Sequence, residues 1–264
     1  MQKKRIGLIG FGFIGAGLYR TIAAGEHPGL EIAFVHNRNP AKLAGIPDSL
    51  IAADLADVGG YGADLIVESA HPAITLDHGA AFLQGADYMP LSVTALADDR
   101  LRSTLEATAA QHGHRLLIPR GALVGTDALY GWRHMWRTVT ITFRKHPRNI
   151  DFARVAIRPE DITGPTTIYD GPVRGIAPLF PRNVNTMVSC ALATIGLDRC
   201  RGRLIADPGL DVAIAEVEAQ GTDGSTLTTI KRQPAIGVSG TEMFQSTLRS
   251  VLKATGNLQV IDFV

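Results

Sequence analysis

Ile6-Gly7-Leu8-Ile9-Gly10-Phe11-Gly12-Phe13-Ile14-Gly15-Ala16-Gly17-Leu18 is the stretch that decides the fold. A short apolar run ends in Gly10-x-Gly12-x-x-Gly15, and Leu18 and Ile22 then follow Ile14 at helical spacing. Strand, glycines, helix is the context a dinucleotide fingerprint requires. Gly10 permits the tight turn, Gly12 lets the backbone approach a pyrophosphate, and Gly15 lets helix and strand pack closely. The helix N-terminus then offers free N–H groups and a partial positive charge to phosphates.

The rest of the first half extends this unit. Glu31–Val35 reads as a second strand, ending at His36-Asn37-Arg38-Asn39-Pro40, about twenty residues beyond Gly15, where the adenosine ribose of a dinucleotide is held. A site selective for NAD places a carboxylate there to accept from the ribose hydroxyls. This chain has Asn37 and Arg38 instead. A guanidinium pairs bidentately with a 2′-phosphate, so NADP is the expected cofactor, with NAD as a second substrate. Ala63–Val67 reads as a third strand, Tyr88–Val93 as a fourth and Arg115–Pro119 as a fifth, with helices at Ile74–Leu83 and Asp98–His112. Strands alternating with helices predict an α/β fold, a doubly wound parallel sheet of Rossmann type. The loop after the third strand, Glu68-Ser69-Ala70-His71-Pro72, falls where such a sheet holds ligand.

Beyond Pro119 the pattern changes. Gly121–Asp127 is a glycine-bearing crossing, followed by a predicted helix to Trp136. Thr138–Phe143 alternates strictly, as a half-buried antiparallel strand does. The segment around Thr163-Gly164-Pro165 and Gly171-Pro172 is turn-rich. Asn183 is placed as the N-cap of a helix with Val184, Met187, Val188, Ala191, Leu192 and Ile195 on one face. Arg203–Ala206, Val212–Ala219 and Thr226–Ile230 read as further strands, and Ser239-x-x-Glu242 as a capping box for a last helix ending near Gly256. These elements make a second part of the chain, joined to the first by short connections and not by a flexible tether.

Composition narrows the function classes. At 264 residues, 45% hydrophobic and 19% charged, the sequence is that of a globular protein able to bury a sizeable core. A net charge of +1 argues against nucleic acid or a membrane surface as partner. No stretch reaches the about 18 apolar residues of a membrane span. The two cysteines, Cys190 and Cys200, form no metal spacing and no disulfide framework, which together point to a cytoplasmic protein without a metal.

With Gly121-Ala122-Leu123-Val124-Gly125-Thr126-Asp127-Ala128-Leu129, Phe180-Pro181-Arg182-Asn183-Val184-Asn185, Arg144-Lys145 and the run Leu204-Ile205-Ala206-Asp207-Pro208, the chain resembles the L-aspartate dehydrogenase family from residue 5 to about 257. The resemblance implies a Rossmann domain over 1–119 with 240–264, a smaller α/β substrate and dimerisation domain over 120–239, and so a C-terminal helix returning to the first domain. It implies NAD(P)-linked oxidative deamination of aspartate to iminoaspartate or oxaloacetate. Asn183 and Asn185 match the family's pair beside the substrate. Two departures stand out. The family's Asn-x-His, whose histidine is its expected catalytic residue, falls here on Ala213 and Ala215, and all eight histidines of this chain lie at or before residue 146. Gly240-Thr241-Glu242-Met243-Phe244 stands where the family has Asn-Pro-Lys-Thr-Ser.

The expected site follows. Cofactor binding falls to Gly10, Gly12, Phe13, Ile14, Gly15, Asn37, Arg38, Ser69, Ala70 and Gly121. Substrate binding falls to Arg182, Asn183, Asn185 and His146, cations and amides suited to an amino, imino or oxo acid. Asn183, Lys145 and His71 are the candidates for catalysis, His71 in place of the missing histidine. The partners expected are a small-molecule substrate and a second copy of the chain, paired through an edge of the sheet that holds Thr138–Phe143. The alternatives are a reductase of a different carbonyl or imine, and a catalytically dead NAD(P)-binding sensor.

Overall fold

The computed structural model describes residues 3–236 and 239–257, with side chains described outside 235–240. The chain divides into two compact units, one running to Pro119 and resumed at Phe244, the other Arg120–Met243.

The first unit begins with β1 (Lys4–Ile9), α1 (Phe13–Ala23) and β2 (Leu30–His36), continues with β3 (Leu65–Glu68), α2 (Pro72–Leu83) and β4 (Asp87–Pro90), and adds α3 (Asp99–His112). Its sheet has the order β2-β1-β3-β4 with every pairing parallel. The chain steps from β1 outward to β2, then resumes on the other side of β1 with β3. Right-handed crossovers therefore place α1 and α2 on opposite faces, and the reversal makes the carboxyl ends of β1 and β3 the ligand-binding crevice of such a sheet. The core is the apolar strand set Ile6, Leu8, Ile9, Phe34, Val35, Leu65 and Val67 with Leu18 and Leu83 from the helices, all almost wholly buried. Inside it, the Tyr88 hydroxyl and Thr75 Oγ1 satisfy each other at 2.9 Å. The fifth strand expected at Arg115–Pro119 is reduced to one bridge between Leu116 and Tyr88. Arg115 is held instead by Asp87, through its amide at 2.7 Å and its guanidinium at 2.6 Å, and Pro119 brings no N–H to prolong a ladder.

The second unit contains α4 (Thr126–Gly131), β5 (Trp136–Lys145), β6 (Thr166–Pro172), α5 (Val173–Ile176), α6 (Asn185–Ala193), β7 (Arg201–Ala206), β8 (Ala213–Gly221), β9 (Thr226–Gln233) and the short pair β10 (Ala235–Ile236) and β11 (Ser239–Gly240). The helix expected to reach Trp136 stops at Gly131, and the Trp136 indole, already on β5, donates to the Leu129 carbonyl at 2.9 Å. β6 lies in the segment read as turns. The five-stranded sheet has the order β6-β7-β5-β8-β9. β5 is therefore central, parallel to β7 and antiparallel to β8, and the free edges belong to β6 and β9. β5 itself has no free edge, since both of its sides are already hydrogen-bonded. Along β5, Val139, Ile141, Phe143 and Lys145 share one face by the two-residue alternation of a strand, and all four are buried. Lys145 is thus a cation on the core side of the sheet.

The last helix, α7 (Met243–Ala254), belongs to the first unit from Phe244 onward. The Phe244 ring packs where a side chain at Gly17 would stand, and Arg115 Nη2 donates to the Ala254 carbonyl at 2.9 Å. The Ser239 side chain of the expected capping box lies outside the described residues, and the Glu242 carboxylate is directed to Lys231 at 2.7 Å. Among the described residues no helix is long and apolar enough to cross a membrane, and no group of three or more His, Cys, Asp or Glu is placed to hold a metal ion.

Candidate functional site

In the first unit the expected cofactor residues of that half converge on the ends of β1 and β3. Gly10 turns with φ +94° and its amide donates to the His36 carbonyl at 2.9 Å. A Cβ at Gly10 would press on the Ser69 backbone, and one at Gly15 would overlap the Gly10 carbonyl oxygen. Gly12 faces open space and caps α1 with no side-chain acceptor, so the first amides of that helix remain available to a ligand. Phe13 is exposed and Ile14 half-buried beside them. A turn closed to side chains at its base and open at its tip fits a dinucleotide pyrophosphate.

Two side chains fix the turn from outside. Asn37 accepts from the Phe11 amide at 3.0 Å and donates to the Asn39 carbonyl at 2.9 Å, so it braces the glycine turn. Arg38 stands exposed next to it, with no ion pair among the described residues. From the β3 side, Ser69 Oγ lies 3.3 Å from the carbonyl oxygens of Ile9 and Gly10.

The residue that organises this loop is Glu68, which our sequence reading passed over. It is fully buried, yet among the described residues no cation pairs with it. Its Oε1 accepts from the amides of Ala70 at 2.6 Å and His71 at 2.8 Å and from Ser92 Oγ at 2.9 Å, and Oε2 accepts from the Ser92 amide at 3.1 Å. Burial pushes its carboxyl above the usual range, and the four donors work against that shift. The signal in the sequence was an acidic residue closing the otherwise apolar run Leu65-Ile66-Val67. His71, the proposed substitute base, is the exposed N-cap of α2, its Nδ1 accepting from the Ala73 amide at 3.1 Å. With Nδ1 accepting, the neutral ring carries its proton on Nε2, so it can donate from there and has no second nitrogen free to act as a base.

In the second unit, Lys145, His146 and Asn183 come together. Lys145 is 8% exposed and lies at the end of β5, with Nζ 3.4 Å from the Asn183 carbonyl oxygen and 5.0 Å from the centre of the Phe143 ring. Among the described residues no carboxylate pairs with it. Burial, and after it the charge of Lys231, brings its pKa down to about 8. Asn183 is not the expected helix cap. The N-cap of α6 is Val184, without a side-chain bond, while the Asn183 amide accepts from Asp151 N at 2.8 Å and donates to the Asn149 carbonyl at 2.8 Å. It thereby ties the entry of α6 to the 3-10 turn Pro147–Asn149, which His146 caps by accepting from the Arg148 amide at 3.1 Å. Arg182 is exposed and pairs with Asp151 at 3.6 Å, and Asn185 opens α6. Gly121, expected on the cofactor, lies in this second unit, with φ +56° at the start of the crossing.

The alanines at 213 and 215 lie on the core-side face of the sheet, Ala215 directly between Phe143 on β5 and Lys231 on β9. Lys231 lies one residue past the strand expected over Thr226–Ile230, and β9 in fact continues through it to Gln233. Its Nζ donates to Glu242 Oε1 at 2.7 Å and to the Ala122 carbonyl at 2.9 Å. Glu242 Oε2 is shielded from solvent and has no hydrogen-bond partner among the described residues.

Comparison with known proteins agrees with both halves. Residues 10–119 match the family described as "Homoserine dehydrogenase, NAD binding domain", and residues 130–254 match "Aspartate dehydrogenase, C-terminal". An aspartate dehydrogenase domain-containing protein of Xenopus tropicalis is 36% identical over 274 residues, covering 97% of this chain and 96% of its own. The L-aspartate dehydrogenase of Methanosarcina acetivorans is 33% identical over 241 residues, covering 88% and 89%. Among solved structures, aspartate dehydrogenase from Thermotoga maritima superposes with a TM-score of 0.74 at 23% identity, over 100% of both chains. A nucleotide-binding glycine turn in one unit, a buried lysine beside Asn183 in the other, and relatives matched over nearly their whole length lead to one conclusion: this chain belongs to the aspartate dehydrogenase family.

Proposed function

We propose that this oxidoreductase acts on a small amino or oxo acid, with NADP as the preferred nucleotide. Gly10, Gly12, Gly15 and the first amides of α1 hold the pyrophosphate, Ser69 and Ala70 line the same crevice, and Arg38 meets the 2′-phosphate. Bound there, the nicotinamide supplies the hydride donor or acceptor. The observation that carries the reading of the second unit is Lys145, a buried cation with no carboxylate partner among the described residues. A charge held in a dry site acts on developing substrate charge far more strongly than one in water. Its Nζ holds a proton near neutral pH and can deliver it to, or take it from, the substrate's oxygen or nitrogen. Asn183 acts as a positioning residue, since its amide is committed to the backbone of 149–151. Arg182 and His146 flank the same turn.

Nucleotide preference is tested by titrating NADPH and NADH into wild type and Arg38→Ala. Wild type is expected to bind NADPH more tightly, and the variant to lose about tenfold of that affinity while its NADH affinity is unchanged, as removal of one charged hydrogen bond predicts. Tighter NADH binding in wild type, with NADPH affinity untouched by the substitution, overturns the preference.

A second reading of the substrate follows from Ala213 and Ala215. Two alanines where the resemblance implies asparagine and histidine remove two polar groups and leave volume on the core-side face. L-aspartate is then a slow substrate and the natural acid a different one. Steady-state kinetics on L-aspartate, and on oxaloacetate with ammonia, are expected to give kcat/KM below about 10⁴ M⁻¹s⁻¹, with a gain in Ala213→Asn/Ala215→His. A wild-type value at or above that range assigns aspartate as the substrate.

A further inference from the structure

We infer that Lys145 and Lys231 together form a carboxylate receptor on the core-side face of the five-stranded sheet, with Glu242 as the internal counter-ion that holds Lys231 in place. The inference rests on the reading of this unit as the substrate-binding one, and it goes beyond that reading by naming the second cation and the group it takes.

The register of the sheet carries the argument. Phe143, Ala215 and Lys231 are directly opposed across three neighbouring strands, and Lys145 lies two residues beyond Phe143 on the same face. Neighbouring strands lie about 4.8 Å apart, so the two lysine Cα atoms are separated by β8 and roughly one two-residue step. Between them β8 presents Ala213 and Ala215, side chains too short to keep a pair of four-carbon stems apart. Burial first, and after it the charge of Lys231, lowers the pKa of Lys145.

The donors exceed the acceptors. Lys231 Nζ has three hydrogens, of which Glu242 Oε1 and the Ala122 carbonyl take two. Lys145 Nζ has one long contact, to Asn183 O, and no carboxylate among the described residues. Two cations against one internal anion leave one positive charge over, the complement of a single carboxylate. Leaving buried donors unspent is costly, and a ligand carboxylate has two oxygens with which to satisfy them. Glu242 Oε2, buried and unpartnered, adds one acceptor for an N–H of the same ligand. A bulky side chain at 215 would separate the lysines without altering any charge, so the receptor depends on the identity of Ala215.

The test uses succinate, a dicarboxylate that undergoes no reaction here, titrated calorimetrically into the whole chain with saturating NADP present. Wild type is expected to bind succinate and not succinamide. Lys231→Met and Ala215→Leu are each expected to weaken succinate binding by about tenfold or more, the effect of one charged hydrogen bond, with NADP affinity unchanged. Lys231→Arg, which keeps the cation, is expected to stay within a few-fold of wild type and guards against loss of folding. Absence of succinate binding in wild type, or binding in Lys231→Met within twofold of wild type, overturns the receptor. The reaction class is decided separately by turnover of an acid panel. Lysine-dependent succinate binding without turnover of any acid overturns the proposed substrate class alone, and turnover with lysine-independent binding overturns the receptor alone.

Discussion

Lys145→Met is expected to lower kcat/KM, for whichever acid the panel shows to be turned over best, by about 10²–10⁴, the range for a positioned acid or base. Nucleotide affinity is expected to be unchanged. In wild type, the reductive direction needs the protonated amine, so its rate falls as pH rises through about 8, and the oxidative direction rises through the same value. The substitution removes that limb from both profiles. Stability moves the opposite way. Between pH 8 and the unfolded lysine's value of 10.5, the unfolded chain binds the extra proton, so wild-type stability rises with pH across that window. Below pH 8 the buried charge is a standing cost of about 3 kcal/mol, which methionine removes. The variant is therefore expected to melt several degrees higher than wild type at pH 7 while being nearly inactive. A lower melting temperature together with an unchanged pH profile would falsify the role assigned to Lys145.

Gly15→Ala is expected to weaken NADPH binding by about 10- to 100-fold and to lower the melting temperature as well. Its new Cβ would overlap the Gly10 carbonyl oxygen, a backbone atom that cannot swing aside, and would lie 3.1 Å from Ser69 Oγ. The start of α1 must then move off β1, at a cost of about 1–3 kcal/mol in overpacking, and its free amides leave the position that holds phosphate. Gly12→Ala is the control. Gly12 has ordinary extended angles, φ −86° and ψ −160°, and nothing within 4 Å of an added Cβ. Its substitution is expected to cost nucleotide affinity with little change in melting temperature. Fluorescence titration and thermal melts of both variants separate the two glycines. Equal stability in Gly15→Ala and wild type would remove the packing role.

The register of β9 is where reading the sequence fell short. Thr226–Ile230 was visible as a strand, but its continuation through Lys231 to Gln233 was not, because Lys231-Arg232-Gln233 looks like the polar exit of a strand. Its meaning depends on Ala215, sixteen residues earlier. Asn183 shows the same limit. An asparagine before an apolar run reads as a helix cap, a local rule, yet here the amide reaches back to Asn149 and Asp151. The turn-rich stretch before α5 hides β6, an edge strand held by β7 and by the pairing of Asp170 with Arg201 at 2.6 Å and Arg203 at 3.1 Å.

Features set by a few consecutive residues were determined by the sequence alone. These are the strand, glycine turn and helix at Ile6–Leu18, the alternation that makes the first sheet parallel, and the missing carboxylate at Asn37-Arg38. Each rests on backbone sterics, strand and helix periodicity, or the charge of a side chain beside its own turn, and none needs a partner from far along the chain. Only the tertiary structure decided that β5 is central, that Glu68 gathers four donors from two loops, and that Lys145 and Lys231 share one face across two alanines. Those facts depend on which distant strands pair and in what register, and a one-residue slip would turn every side chain of β8 or β9 to the other face of the sheet.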